Sequence, residues 1–444
     1  MSQTIIKGIC SDISSEGLGI VKANWMVIMV NGLLLGEEAD IQIDYKRAGV
    51  FYGHIKKLYN LSKDRIKLEC PVASACGGCT FQNATYEYEL AFKKKKVEDA
   101  LKRIGGLDVK INEIIGMENP SNYRNKIQVP FGKENHHVVY GFYKANTHKI
   151  IPIKKCAIED ELASPILMDI ASLMDSMHIE PYHEDSRNGT IRHVLIRTSH
   201  TTREVMVVLI TNAKTFPSRN NFVKALTSKH PEIKSVVQNI NLRDTNVILG
   251  EKEEVLFGKP FISDSLLGIE FHISSKSFFQ VNPVQCEKLY QKALEFANLN
   301  KDDEVLDAYA GVATIGAICA KHVKKVTSVE LVHEAVMNAK DNIKRNNISN
   351  MEVIEADCTK YLLENDKHFD VVIMDPPRKG STPEFLNALK KSKPSKIVYI
   401  SCEPSTLARD LKILSDTYQI NNVSCVDMFP RSFHIETIVL LVKR

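Results

Sequence analysis

The chain has 444 residues, with 58 Lys+Arg against 54 Asp+Glu (formal net charge +4), 44% hydrophobic residues and ten cysteines. That length allows two or three domains with separate cores, and no run of about 18 apolar residues is present to span a membrane. The N-terminal "MSQTIIKGICSDISSEG" lacks the basic, apolar, small-residue order of a signal peptide. This points to the cytoplasm, where thiols stay reduced and cysteines act as ligands, nucleophiles or core residues.

Residues 1–60 read as short strands ("TIIKGICSDI", "GLGIVKA", "WMVIMVNGLL", "EADIQIDYKR", "VFYGHIKKLY") separated by glycine-containing or charged turns. Short strands with turn signals every 8–12 residues or so predict a small barrel or sandwich. "NLSKDRIKLE" then reads as a linker into "CPVASACGGCTFQ". Cys70, Cys76 and Cys79 form C-x5-C-x2-C, a spacing that suits zinc or an iron–sulfur cluster. Both usually take four ligands, and Cys156 in "IPIKKCAIED" is the best candidate for the fourth, with Cys10 as a rival.

A helix is predicted over about 84–107, with Ala91, Val97, Leu101 and Ile104 at helical spacing. Residues 90–157 hold fourteen Lys/Arg against six Asp/Glu, the local excess expected of a phosphate-backbone binder. The run Lys93–Lys96 reads either as part of that footprint or as a solvated helix face. Strands are expected at "YRNKIQVPFG", "HVVYGFYKA", "IRHVLIRTS" and "EVMVVLIT", and a helix at "ELASPILMDIASLMDSM", giving a central α+β domain over 61–285. "ISSKSFFQVNPVQCEKLYQKALEFA" is a polar, aromatic entry segment followed by a helix from near Pro283.

Residues 286–444 change pattern. Strands at "DEVLDAYA", "KKVTSVELV", "MEVIEADC", "FDVVIMDPP" and "KIVYISC" alternate with helices, and "SCVDMFP" and "ETIVLLVK" follow. That alternation predicts a doubly wound α/β sheet. Ligands of such sheets sit beyond the carboxyl ends of the strands. The first turn, "DAYAGVATIG", is built of small residues but lacks G-x-G-x-x-G and the P-loop motif. Glu330 ends the second strand nineteen residues after Gly311, a spacing that suits ribose hydroxyls. An acid for ribose without a pyrophosphate cradle favours S-adenosylmethionine, and Asp357 suits the adenine edge.

The fourth strand ends in "DPPR". Asp-Pro-Pro tips also serve N-methyltransferases, but Cys402 at the end of the fifth strand argues for carbon chemistry. Carbon 5 of a pyrimidine is a poor nucleophile until a thiolate adds to carbon 6, and its proton must then leave to a base. The loop "FPRSFHIETI" offers His434 and Glu436, and a half-buried carboxyl has its pKa raised toward useful values.

The ordered set "SFFQVN", "DAYAGVATIG", "VELV", "DPPRKG", "YISCEPSTLARDL" and "FPRSFHIETI" resembles the bacterial RNA uracil-5-methyltransferases, in particular the branch that modifies 23S ribosomal RNA. The resemblance covers nearly the whole chain. It implies an N-terminal TRAM domain, an OB-like RNA-binding barrel, and a class I methyltransferase fold at the C-terminus. It also implies a 4Fe–4S site on Cys70, Cys76, Cys79 and Cys156. Cys402 resembles the nucleophile and Glu436 the proton-abstracting base. Gln280, Tyr309, Gly311, Glu330, Asp357 and Asp375 resemble the S-adenosylmethionine and active-site contacts. Arg124 and Lys126 of "YRNK" resemble phosphate contacts, and Phe278 and Phe279 are candidates to stack on a flipped base. The implied partner is 23S rRNA, for a monomer with no membrane association. The alternatives are the same chemistry on transfer RNA, or a largely non-catalytic RNA-binding ribosome-assembly factor. Two features depart from the pattern: Tyr309–Ala310 replaces an aromatic–Cys pair, and Pro376–Pro377 fill the place where 5-methylcytosine enzymes carry a second cysteine.

Overall fold

Strand alternation in the first sixty residues closes on itself. In the computed structural model, which describes residues 4–144, 147–365 and 367–444, the strands Ile5–Ile13, Gly19–Ala23, Met26–Val30, Glu38–Arg47 and Val50–Asn60 form a closed five-stranded barrel. Residues 1–3, and Ala145 at the end of one expected strand, lie outside the described residues. Ile6, Cys10, Val21, Ile28, Val30 and Ile41 point inward and are buried, as period-two alternation requires. Cys10 is 1% exposed in this core, so it is not the fourth ligand of the cysteine loop. Below the barrel, the buried Glu37 carboxylate takes both Nε and Nη2 of Arg65 (2.5 and 2.6 Å) and the backbone N–H groups of Leu34 and Ser62. The linker is thereby pinned to the barrel.

The middle of the chain builds a seven-stranded sheet. Its order is Lys252–Gly258, Ile233–Ile240, Val205–Thr211, Ile191–Thr198, Lys126–Glu134, His137–Tyr143, Ile150–Pro152. A two-stranded hairpin, Phe261–Leu266 with Ile269–Ser274, leads out of it.

The C-terminal sheet has eight strands in the order Met351–Glu355, Lys325–Glu330, Glu304–Ala308, Val371–Met374, Lys396–Ser401, Glu436–Lys443, Tyr418–Val426, Glu113–Ile115. The first five are mutually parallel, and all but the edge strand Met351–Glu355 are almost wholly buried, because helices cover both faces. Glu436–Lys443 is antiparallel to both of its neighbours. It therefore starts at the edge where the parallel strands end.

Two expectations about domain limits need correction. The helix Tyr86–Ala100, its π-helical extension Leu101–Gly105 and the strand Glu113–Ile115 belong to the C-terminal sheet, not the central domain. Val97, Leu101 and Ile111 are buried there against Leu407, Leu411 and Val423. The limit at 285/286 falls inside the helix Pro283–Ala297. Its Cys286, Leu289 and Phe296 join a core that runs unbroken from Leu195 and Val208 of the central sheet to Val398 and Ile438 of the C-terminal one. No helix of the described residues is long and apolar enough to cross a membrane.

Candidate active site

The sheet order converts separate strand ends into one row of functional groups. Ser401 pairs with Thr437, so the next residue outward on one strand, Cys402, lies beside the preceding residue on the other, Glu436. Met374 pairs with Tyr399, which puts Asp375 on the other side of the thiol. Asp307 lies one strand further along. Pro404 opens the helix Pro404–Leu414 directly after Cys402, with Glu403 as its N-cap. The chain turns sharply there and leaves the thiol half-buried at the edge.

Electrostatics couples the row. Burial pushes the Cys402 thiol up to about 11, with Glu436 and Asp375 adding to the rise and Arg378 opposing it. Burial and then Asp375 raise the Glu436 carboxyl well above the carboxylate range; burial and then Asp307 do the same to Asp375. Like charges this close cannot all ionise together. The thiol and the two carboxyls therefore share their protons as one coupled row. His434 is held neutral by burial, then by Arg378 and Lys96, with its ring against Phe433 at 4.2 Å.

The adjoining turn suits a nucleoside. Glu330 accepts from Gly311 N–H (2.9 Å) and Val332 N–H (2.8 Å), so it ties the turn to the second strand. Tyr309 (φ 62°) and Gly311 (φ 55°) are both left-handed, a strained conformation for tyrosine. The Tyr309 hydroxyl is fixed to Ser381 Oγ at 2.7 Å. A Cβ on Gly311 meets nothing within 4 Å, so the turn faces open space. Leu331 and Val332 are exposed beside Glu330, an apolar face that a planar base would cover. Asp357 caps the helix Cys358–Glu364 through Thr359 N–H and Lys360 N–H, with one carboxylate oxygen taking both. Gln280 lies near Tyr290, with Phe278 alongside. These residues fit S-adenosylmethionine.

Other predicted residues divide. Phe278 is 70% exposed, whereas Phe279 is 8% exposed and packs on Phe271 with ring centres 5.7 Å apart, so Phe279 is core and not a stacking platform. Arg124 and Lys126 lie together with Arg197, the register partner of Lys126. Burial, then Arg197 and Arg124, lowers the Lys126 ammonium to about 8, and among the described residues no carboxylate pairs with it. Lys93, expected at the RNA surface, is fully buried between Glu89 and Asp427 at 2.6 Å from each. It is a structural ion.

Cys70, Cys76, Cys79 and Cys156 all line one cavity of about 400 Å³, with Arg124, Lys126 and Lys155 in its wall. Among the described residues no three metal-binding side chains are gathered closely enough to hold a single ion.

Two sets of residues were not legible beforehand. Asp307, in "LDAYAG", is 3% exposed and accepts from Gly316 N–H (3.1 Å) and Ser328 Oγ (2.8 Å). Its strand-end position was a signal. Lys93 and Glu89 sit four apart on one helix, which was also a signal, but their partner Asp427 is 334 residues away.

The doubly wound sheet, its row of acids and its glycine turn without a phosphate cradle define a Rossmann-like methyltransferase. The chain belongs to the family described as tRNA (uracil-5-)-methyltransferase, which residues 85–444 match. An RNA methyltransferase of Clostridium tetani, described as uncharacterized, is 41% identical over 431 residues (96% of this chain, 94% of that one). One of Bacillus cereus, similarly described, is 42% identical over 436 residues (97% and 95%). Among solved structures, the Pyrococcus abyssi tRNA (uracil-54, C5)-methyltransferase with S-adenosyl-L-homocysteine superposes with a TM-score of 0.80 at 29% identity, covering 98% of this chain and 99% of that one. The protein is an S-adenosylmethionine-dependent RNA methyltransferase.

Proposed function

We propose that the protein methylates carbon 5 of a uridine in 23S ribosomal RNA, with Cys402 as nucleophile and Glu436 as base. The observation that carries this reading is the antiparallel register that sets a thiol beside a buried, proton-holding carboxyl. The Cys402 thiol loses its proton to solvent at the half-buried strand end and its sulfur bonds to carbon 6, which leaves an electron pair on carbon 5. Gln280, Tyr309, Gly311, Glu330, Asp357 and Asp375 would hold S-adenosylmethionine, whose sulfonium methyl would pass to that electron pair with S-adenosylhomocysteine as the leaving group. Glu436, ionised at this stage, takes the carbon-5 proton. The carbon 6–sulfur bond breaks, the double bond re-forms, and the thiolate leaves. Exposed Phe278 stacks on RNA bases near the site, and the cations Arg124 and Lys126 take phosphates, Lys126 without a carboxylate beside it and Arg124 with the buried Glu159 behind it. The barrel acts as a TRAM-type RNA-binding domain. The four-cysteine cavity holds a 4Fe–4S cluster, and the wall cations balance its thiolates.

Cys402→Ala should form no protein–RNA adduct and transfer no methyl group. Glu436→Gln should accumulate a covalent adduct on denaturing gels. An active Cys402→Ala enzyme would sink the mechanism. For the cluster, protein purified without oxygen should be brown with equal iron and sulfide; one zinc per chain would replace this reading. A second substrate has specific support: the Pyrococcus abyssi enzyme, alike along nearly the whole chain, acts on transfer RNA. The shared architecture therefore does not separate the two RNAs. Methyl transfer to unmodified 23S rRNA and to unmodified tRNA, measured side by side, decides between them.

A further inference from the structure

Glu436 is delivered to Cys402 by the loop 427–435, which joins two paired strands; Val426 faces Glu436 across the hairpin. Neutral bonds reach that loop from Tyr123, Asn282 and Thr80, to the Pro430, Met428 and Arg431 carbonyls, and a set of charges is buried beneath it. Lys93 Nζ donates to Asp427 Oδ1 (2.6 Å), to Glu89 Oε1 (2.6 Å) and to the Phe429 carbonyl (3.2 Å). Glu89 Oε1 also accepts from Arg431 N–H (2.8 Å), and Tyr86 donates to Asp427 Oδ2 (2.8 Å). Lys96 Nζ reaches the Phe433 carbonyl at 3.0 Å. Lys93, Glu89 and Asp427 are all 0% exposed.

Such a buried group is an expensive way to gain stability, since well-packed apolar side chains do as well or better. What it adds is direction. Each bond has one geometry, and the bonds from helix Tyr86–Ala100 touch Asp427, Phe429, Arg431 and Phe433 in turn. An apolar contact would hold the loop without fixing its register.

We propose that Lys93 is a positioning residue of the methyl-transfer reaction: it fixes the loop that aims Glu436 at the base bonded to Cys402. This rests on Glu436 being the proton acceptor. Losing Lys93 should therefore slow proton removal and release while leaving cofactor binding and carbon 6 attack largely intact.

The experiment follows the lifetime of the covalent enzyme–RNA species after a single turnover, with bound S-adenosylhomocysteine counting folded sites. The variants are Lys93→Met, the charge-matched pair Lys93→Met with Glu89→Gln, and Asp427→Asn. A Lys93 variant that binds S-adenosylhomocysteine as wild type does should show an adduct lifetime lengthened ten-fold or more, as expected of Glu436→Gln, and Asp427→Asn should do the same. If Lys93→Met alone does not fold, the charge-matched pair and Asp427→Asn carry the test. Folded variants that lose activity only in proportion to lost sites, with normal adduct lifetime, overturn the proposal. If Glu436→Gln itself accumulates no adduct, the base assignment has failed and not the role of Lys93 alone.

Discussion

Asp307→Asn should make the protein more stable, and by an amount that depends on pH. Asp307 is buried at the end of the Glu304–Ala308 strand, and burial, against help from Ser328 and Gly316, pushes its carboxyl from 3.8 up to about 7. A carboxyl whose folded pKa is raised stabilises the fold fully below its ordinary pKa and loses that contribution as pH rises through the folded value. At about 1.4 kcal/mol per tenfold, the loss by pH 8 is on the order of 4 kcal/mol. Asparagine cannot ionise. Both donors to Asp307 share a single oxygen, Oδ2, so an amide oxygen can accept both bonds. Weaker neutral hydrogen bonds return about 1–2 kcal/mol of that gain. The net gain should be about 2–3 kcal/mol at pH 8 and should fall below about 1 kcal/mol at pH 5. For a cooperative unit of 150–250 residues this is a rise of roughly 4–12 °C in melting temperature at pH 8. Thermal unfolding of both proteins at pH 5, 6.5 and 8, at fixed ionic strength, measures it. S-adenosylhomocysteine binding should survive. A gap that does not widen with pH, or a variant less stable at pH 8, would refute the account of Asp307 as an acid held against its charge.

Arg65→Met should cost about 3–5 kcal/mol at neutral pH, since it leaves the Glu37 carboxylate buried without its cation. Burial raises Glu37, but Arg65 and the Leu34 and Ser62 N–H groups outweigh it and hold the carboxyl below its ordinary value. The wild-type advantage is thus present above about pH 4.3 and is lost as pH falls through the lower folded value, so melting curves of the two proteins should converge only below about pH 4. Lys126→Ala should weaken RNA binding and reduce the salt-dependence slope by about one; an unchanged slope in filter binding would leave Lys126 without a phosphate. Phe278→Ala should impair turnover on RNA with melting unchanged, whereas Phe279→Ala should lose about 3–5 kcal/mol of stability, and calorimetry beside a methylation assay separates them.

The sequence by itself determined what local pattern encodes. The run "KIVYISCEP" announces a buried strand, a thiol and a helix start, because strand burial and the Pro404 break are written in neighbouring residues. Glu330, Gly311 and the cysteine spacing were legible for the same reason. Only the tertiary structure decided which strand ends are neighbours. Cys402 and Glu436 are 34 residues apart in sequence, and it is the antiparallel return of the last strand that sets them side by side. Phe278 and Phe279 are adjacent in sequence and of one type, yet packing against Phe271 takes one and leaves the other to solvent. Lys93 looked like its neighbours Lys94 and Lys95. Its difference lies in Asp427, a partner 334 residues away, and no periodicity within a helix carries information about a charge that distant.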